Sequence, residues 1–243
     1  MSALSAAQIL SVWETGRHQH PLDRALTMLA AGLPGRPRSE LATLPIGERD
    51  HGLLAVRSET LGPVVELVSA CPSCGDRVEF DFETADLLVS PGTVPGATAE
   101  IEFAGRSWRF RLPTSADLAG ISGIPDEKTA LHRLAGQCLM PENPGDGLTV
   151  PEWSAATLDL LQQRMGELDP QAEITLDLLC PACAHRWHET FDIADFFWRE
   201  IAAQSRQLLH DVDGLARTYG WSEAEILSLG PARRQAYLEL AGV

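Results

Sequence analysis

No stretch of this chain approaches the ~20 consecutive apolar residues that a membrane helix needs. The segment from Met1 to Trp13 lacks the basic start and apolar core of a signal peptide. The expected compartment is therefore the cytoplasm, with no membrane insertion. Catalytic signatures are missing too: there is no P-loop, G-x-S-x-G, H-E-x-x-H or G-x-G-x-x-G. The catalytic reading that remains is an enzyme whose site forms only from the fold. Basic residues are scarce, 19 Lys and Arg against 34 Asp and Glu, for a net charge of −15. Binding nucleic acid needs a basic patch that displaces counterions, so this balance argues against a DNA or RNA surface. Arg233 and Arg234 form a local basic pair that reads as solvated helix charge.

What is present is ordinary globular material, with 243 residues, 44% hydrophobic and 22% charged. That is enough for one large domain or two small ones. Cysteine is used sparingly and in pattern. Four of the five fall in two knuckles, Cys71-Pro72-Ser73-Cys74-Gly75 and Cys180-Pro181-Ala182-Cys183. In a reducing compartment such pairs favour metal over disulfide. Four thiolates make a tetrahedral S₄ set, the usual cage of one structural zinc ion. The fifth, Cys138, lies in an amphipathic segment and reads as a small core residue.

Along the chain, Ser5 to Glu14 reads as a short helix with Ile9, Leu10 and Trp13 on one face. Pro21 suits the first turn of a second helix. Gly32 to Ser39 reads as a loop, and a third helix is expected over Glu48 to Thr60. In the pair Asp50-His51, capping accounts for Asp50 as well as catalysis does. Val64 to Ala70 and Arg77 to Phe82 read as strands flanking the first knuckle. Ser90 to Thr98 reads as a linker. A hairpin is expected around Ala104-Gly105-Arg106. Thr114 or Ser115 can cap a short helix, and Lys128 to Leu139 is another. Met140 to Gly147 reads as a polar loop. Thr149-x-x-Glu152 fits a capping box for a helix ending near Leu168. Ile174 to Leu179 and Arg186 to Phe191 flank the second knuckle. A long helix is expected over Ile193 to Leu209, then three short helices from His210 to Val243.

The knuckles belong to an internal repeat. Residues 71–88 align without gaps on 180–197 with seven identities, the last pairs being Phe82/Phe191, Ala85/Ala194 and Asp86/Asp195. Each copy reads strand, knuckle, strand, Ala-Asp, apolar helix. The expected class is α+β: mostly helical, with a split zinc ribbon in which two β-hairpin knuckles share one zinc, and a small inserted hairpin. The corresponding divisions are a helical segment 1–62, a ribbon core of 63–89 plus 172–197, an insertion 90–171 and a helical tail 198–243.

One shared metal must close the 105 residues between the knuckles. That costs several kcal/mol of chain entropy, growing only slowly with length. Zinc can contribute ~10 kcal/mol or more, enough to close the loop with margin. Four Cys leave no open position for water, which makes this a structural and not a catalytic metal. His185 and His188 lie beside the second knuckle but are not needed as ligands. A thioredoxin-like role would place one C-x-x-C at a helix N-terminus, which two strand-embedded copies do not.

Two further stretches carry a family likeness. One is Leu44-Pro45-Ile46-Gly47-Glu48-Arg49-Asp50, followed by Leu53-Leu54 and the first knuckle. The other is the tail, above all Tyr219-Gly220-Trp221-Ser222-Glu223-Ala224-Glu225-Ile226-Leu227-Ser228-Leu229 and Arg233-Arg234-x-x-Tyr237. The chain resembles the T4-like phage baseplate protein family, in the version found in bacterial phage-tail-like contractile injection systems. The resemblance implies a non-enzymatic part: a baseplate or hub component, or an assembly chaperone that loads it. It implies baseplate, hub or spike proteins as partners and a place in the cytoplasm or in the assembled particle. Trp221, Ile226, Leu229, Arg233, Arg234 and Tyr237 are the candidate partner-binding residues, and packing on the protein's own core is the alternative for their apolar face. The reading from a different class is a zinc-ribbon adaptor that binds nucleic acid or transcription machinery. It would need a basic stripe, and Arg77, Arg186 and His185 are flanked by Asp76, Glu79, Asp81 and Glu83.

Overall fold

The computed structural model describes residues 1–89, 98–103, 105–140 and 153–242. The expected linker at 90–98, the turn residue Ala104, the 140–147 loop and the Thr149–Glu152 capping box fall wholly or mostly outside them.

Helices open the chain where caps and apolar spacing coincide. Ser5 caps α1 (Ala6–Gly16), accepting from the Gln8 amide while the Gln8 side chain accepts from the Ser5 amide. Pro21 starts α2 (Pro21–Gly32), whose first turn is capped by His20. A single helical turn, α3 (Arg38–Leu41), follows Pro37 in what the sequence presents as loop. α4 runs Ile46–Leu61, from two residues before the expected start. Asp50 therefore sits inside this helix and is not its cap.

The first knuckle hairpin pairs β1 (Val64–Ala70) with β2 (Arg77–Glu83), Val64 opposite Glu83 and Ala70 opposite Arg77. A one-turn α5 (Thr84–Leu87) ends it. The inserted hairpin is β3 (Thr98–Phe103) and β4 (Arg106–Arg111). Two residues, β5 (Leu139–Met140), add a third strand that local pattern does not announce. Thr114 and Asp117 form a capping box on α6 (Ser115–Ile121), and α7 (Glu127–Cys138) follows. α8 (Ala155–Leu168) is capped by Ser154 and leads into a 3₁₀ turn at Pro170–Ala172.

The second knuckle hairpin pairs β6 (Ile174–Leu179) with β7 (Arg186–Phe191). α9 then runs unbroken over 27 residues, Ile193–Tyr219. The expected break near His210 is absent, so two short helices close the tail, α10 (Glu223–Ser228) and α11 (Pro231–Ala241), and not three. The reason is packing. Asp211, polar and helix-indifferent by itself, is buried by an ion pair with Arg234 at 2.8 Å, and Leu208 and Leu215 continue the buried stripe around it. Gly220, at φ +69°, ends the helix in the left-handed conformation that glycine adopts without strain.

The result is an α+β protein, mostly helical with small antiparallel sheets. One apolar core joins α1, α2, α4 and α9 to the inner faces of both knuckle hairpins, through residues such as Met28, Leu53, Val65, Leu178 and Phe197. A second cluster, with Phe110, Trp108, Trp153 and Leu161, forms within the segment between the hairpins. A third, of Leu215, Ile226 and Leu238, holds the tail helices to the end of α9. Polar ties add to this packing. Within the first core, Arg57 of α4 makes a bidentate pair with Glu200 of α9, at 2.6 and 3.0 Å. The Gly47 amide donates to Asp169 at 2.9 Å, which gives α4 an N-terminal acceptor that Pro45 lacks.

Candidate metal centre

Each knuckle is a turn built by two backbone hydrogen bonds. In the first, the Cys71 amide donates to the Asp76 carbonyl and the Gly75 amide to the Cys71 carbonyl, both at 2.8 Å. In the second, the Cys180 amide donates to the His185 carbonyl and the Ala184 amide to the Cys180 carbonyl, both at 2.9 Å. The exit residue is left-handed in both copies, Gly75 at φ +78° and Ala184 at φ +57°. The second copy thus makes the same turn with alanine where the first has glycine. Holding a non-glycine residue there costs about 1–3 kcal/mol, a strain that must be met by what the turn presents.

What it presents is sulfur. The four cysteine Sγ atoms all lie within 4.8 Å of one another. Cys71 Sγ is 3.7 Å from Cys183 Sγ, and Cys74 Sγ is 3.6 Å from Cys180 Sγ. A tetrahedron with metal–sulfur bonds of ~2.3 Å has S···S edges of about 3.8 Å. The short contacts run between knuckles separated by more than a hundred residues, so one ion would bind both halves of the chain at once. Among the described residues these four cysteines are the group that could hold a metal. An all-thiolate tetrahedral set suits zinc or iron and leaves no open position.

The site is buried on one side and exposed on the other. Cys71 and Cys180 are buried against Val78, Phe80 and Trp187, while Cys74 and Cys183 face out. Burial pushes the Cys71 thiol up, but hydrogen bonds from the Cys74 and Ser73 amides and the neighbouring thiols outweigh it and bring it down to about 7. For Cys74 the Asp76 amide pulls down, but partial desolvation and the three other sulfurs raise it to about 12. Four sulfurs in so small a space cannot all ionise without a cation among them. Around the cage the hairpins touch directly. Phe80 meets the edge of Trp187 with ring centroids 5.9 Å apart. Ser69 hydrogen-bonds Glu189, which also accepts from the Trp187 indole. His185 stacks beside Trp187 and His188 pairs with Asp177 on the exposed face, so neither histidine belongs to the sulfur cluster.

The tail residues are placed differently from one another. Ile226 is wholly buried, and Arg234 is held by Asp211 and the Leu229 carbonyl with its side chain only 11% exposed. Arg233 is exposed, while Leu229, Trp221 and Tyr237 are half-buried. Trp221 stacks on Tyr219 at 4.7 Å and meets Tyr237 edge-on at 4.8 Å, an aromatic trio on the tail's flank. Cys138 is fully buried, and burial raises its thiol to about 12. Sequence inspection misses one polar centre. Arg49 and Asp50, both buried, pair at 2.7 Å, with Arg49 also reaching Ser115 of α6. Burial raises the Asp50 carboxyl to about 6 against the pull of Arg49. The Arg-Asp dipeptide within the 44–50 block was the available signal.

Residues 25–139 match the family model described as T4 bacteriophage base plate protein. The matched span takes in the Leu44–Asp50 block, the first knuckle and the inserted hairpin. It ends before Cys180 and Cys183, and the tail from Leu208 to Tyr237 lies outside it. No curated protein and no solved structure matches the chain. No helix among the described residues is long and apolar enough to cross a membrane. The match supports a baseplate-type structural protein.

Proposed function

We propose that this chain is a non-enzymatic, zinc-stabilised part of the baseplate or hub of a phage-tail-like contractile injection system, or the chaperone that assembles it. The observation that carries this reading is the match of residues 25–139 to the baseplate family model. The metal centre gives the part its rigidity. A closed S₄ site pins two hairpins that grow from opposite ends of a long insertion, and α9 leaves the second hairpin directly into the main core. Zinc is the ion proposed, because four thiolates and a closed tetrahedron are the structural zinc arrangement.

The surface favours protein partners over nucleic acid. The outer face of the first hairpin carries Glu66, Glu79, Asp81 and Glu83, with Glu66 directly opposite Asp81. Like charges so placed repel each other and also repel phosphate. Basic faces of hub or spike proteins would relieve that repulsion.

The test is co-expression of this protein with the baseplate, hub and spike proteins of a contractile injection apparatus from the same source, followed by pull-down and electron microscopy of particles made without it. Capture of a baseplate protein, and tails without baseplates in its absence, is the expected outcome. Complete particles formed without it, together with no capture, would overturn the reading. Presence of the chain in finished particles would separate subunit from chaperone.

A further inference from the structure

Away from the metal centre, α7 and α8 face one another across a groove of about 640 Å³. From α7 it is lined by Leu131 and Ala135, from α8 by Leu158, Leu161 and Met165, and Trp153 contributes the indole that stacks on Phe103 at 5.1 Å. These positions recur at helical spacing, so each helix turns one apolar face toward the gap. Leu131 is 44% exposed there, unusual for an amphipathic helix whose apolar face is packed. The walls are 12 and 14 residues long, about 18–21 Å, the length of three to four helical turns.

One further observation points to the occupant. The rim is acidic, with exposed Glu127, Asp159 and Glu173 against Lys128 alone among lysines and arginines.

We infer that this groove receives an amphipathic helix of a partner protein, its apolar face seated between α7 and α8 and its flanking lysines or arginines on the acidic rim. This is helix-in-groove recognition, with anchors at i, i+4 and i+7 of the incoming helix. The rim charge sets the sign of the partner and makes the affinity salt-dependent. The inference does not rest on the baseplate reading, and its test is independent of it.

The probe is a fluorescein-labelled Leu/Lys peptide of about 16 residues with leucines on one helical face, long enough to span the walls. Its binding to the full-length protein is followed by fluorescence anisotropy. Controls are the same composition in scrambled order and the same pattern with Glu for Lys. The blocking variant is Gly166→Phe. Gly166 lines the groove, and a Cβ added there meets nothing within 4 Å, so the ring enters the groove while the helix gains in propensity. The expected result is one-to-one binding, about tenfold weaker for either control peptide, about tenfold weaker for Gly166→Phe with no loss of thermal stability, and weaker with a flattened salt dependence for Glu127→Lys with Asp159→Lys. No binding, equal binding of the scrambled peptide, or unchanged binding by Gly166→Phe would overturn the proposal. So would a dimer in sedimentation that Gly166→Phe dissociates, because the occupant would then be a second copy of this chain.

Discussion

Gly47 offers the sharpest perturbation of the fold. It is the second residue of α4, and its amide donates to Asp169 Oδ2 at 2.9 Å across 122 residues of sequence. A Cβ at this position would fall 1.8 Å from Asp169 Oδ1 and 2.6 Å from its Cγ. The carboxylate must leave, and it is buried, so it has no solvent to retreat into without moving the turn at Pro170–Ala172. Losing a hydrogen bond to a charged group costs about 1.5–3 kcal/mol. The Gly→Ala change returns about 0.5–1 kcal/mol through the unfolded state and helix propensity. With some cost for displacing the carboxylate, Gly47→Ala is expected to destabilise by about 2 kcal/mol. The assay is urea unfolding followed by tryptophan fluorescence, at fixed metal loading. In an Asp169→Ala background the obstruction is gone, so Gly47→Ala should become neutral or stabilising, a coupling of about 2–3 kcal/mol. A neutral Gly47→Ala in the native background, or the same loss in both backgrounds, would refute the contact as the reason glycine stands there.

Three other outcomes follow from particular groups. Ala184→Gly relieves the left-handed strain in the second knuckle and should raise stability by about 0.5–1 kcal/mol by thermal unfolding, whereas the reverse change Gly75→Ala should cost a similar amount; a loss on Ala184→Gly would mean the turn is not strained. Asp50 has its pKa raised from 3.8 to about 6, so the fold favours its neutral form. That contribution is complete below 3.8 and is lost as pH rises through about 6; Asp50→Asn should therefore gain on the native protein by about 1–3 kcal/mol between pH 4 and 7, and parallel stability curves would contradict it. Arg57→Met leaves Glu200 without its bidentate partner at the α4–α9 contact and should cost about 2–4 kcal/mol in urea unfolding, while a neutral result would show that this pair holds nothing.

The hairpins and their cysteines were legible because their signals are local. Val64–Ala70 and Arg77–Glu83 alternate between core and surface, and the C-x-x-C turns sit where each pair reverses. The repeat added the partner for each thiol pair. What was illegible depends on distant residues. Nothing near Asp211 reveals that Arg234 will bury it and carry α9 through to Tyr219. Nothing in Leu44–Asp50 names Asp169 as the acceptor for Gly47, and Leu139–Met140 are a strand only because β4 is beside them. Ile226 shows the same limit. Its place in a short capped helix is readable, but which way its side chain turns is fixed by Leu215 and Leu238.

A single metal ion held by Cys71, Cys74, Cys180 and Cys183 would join the two halves of the chain. The decisive measurement is metal content per chain, on protein purified without added zinc, with native mass spectrometry on the native chain and on Cys74→Ser. One zinc per native chain, lost together with the fold on chelation and lost or weakened in Cys74→Ser, is the predicted result. Two metals per chain, none, or a Cys74→Ser protein with unchanged metal and fold would contradict a single site joining the two halves.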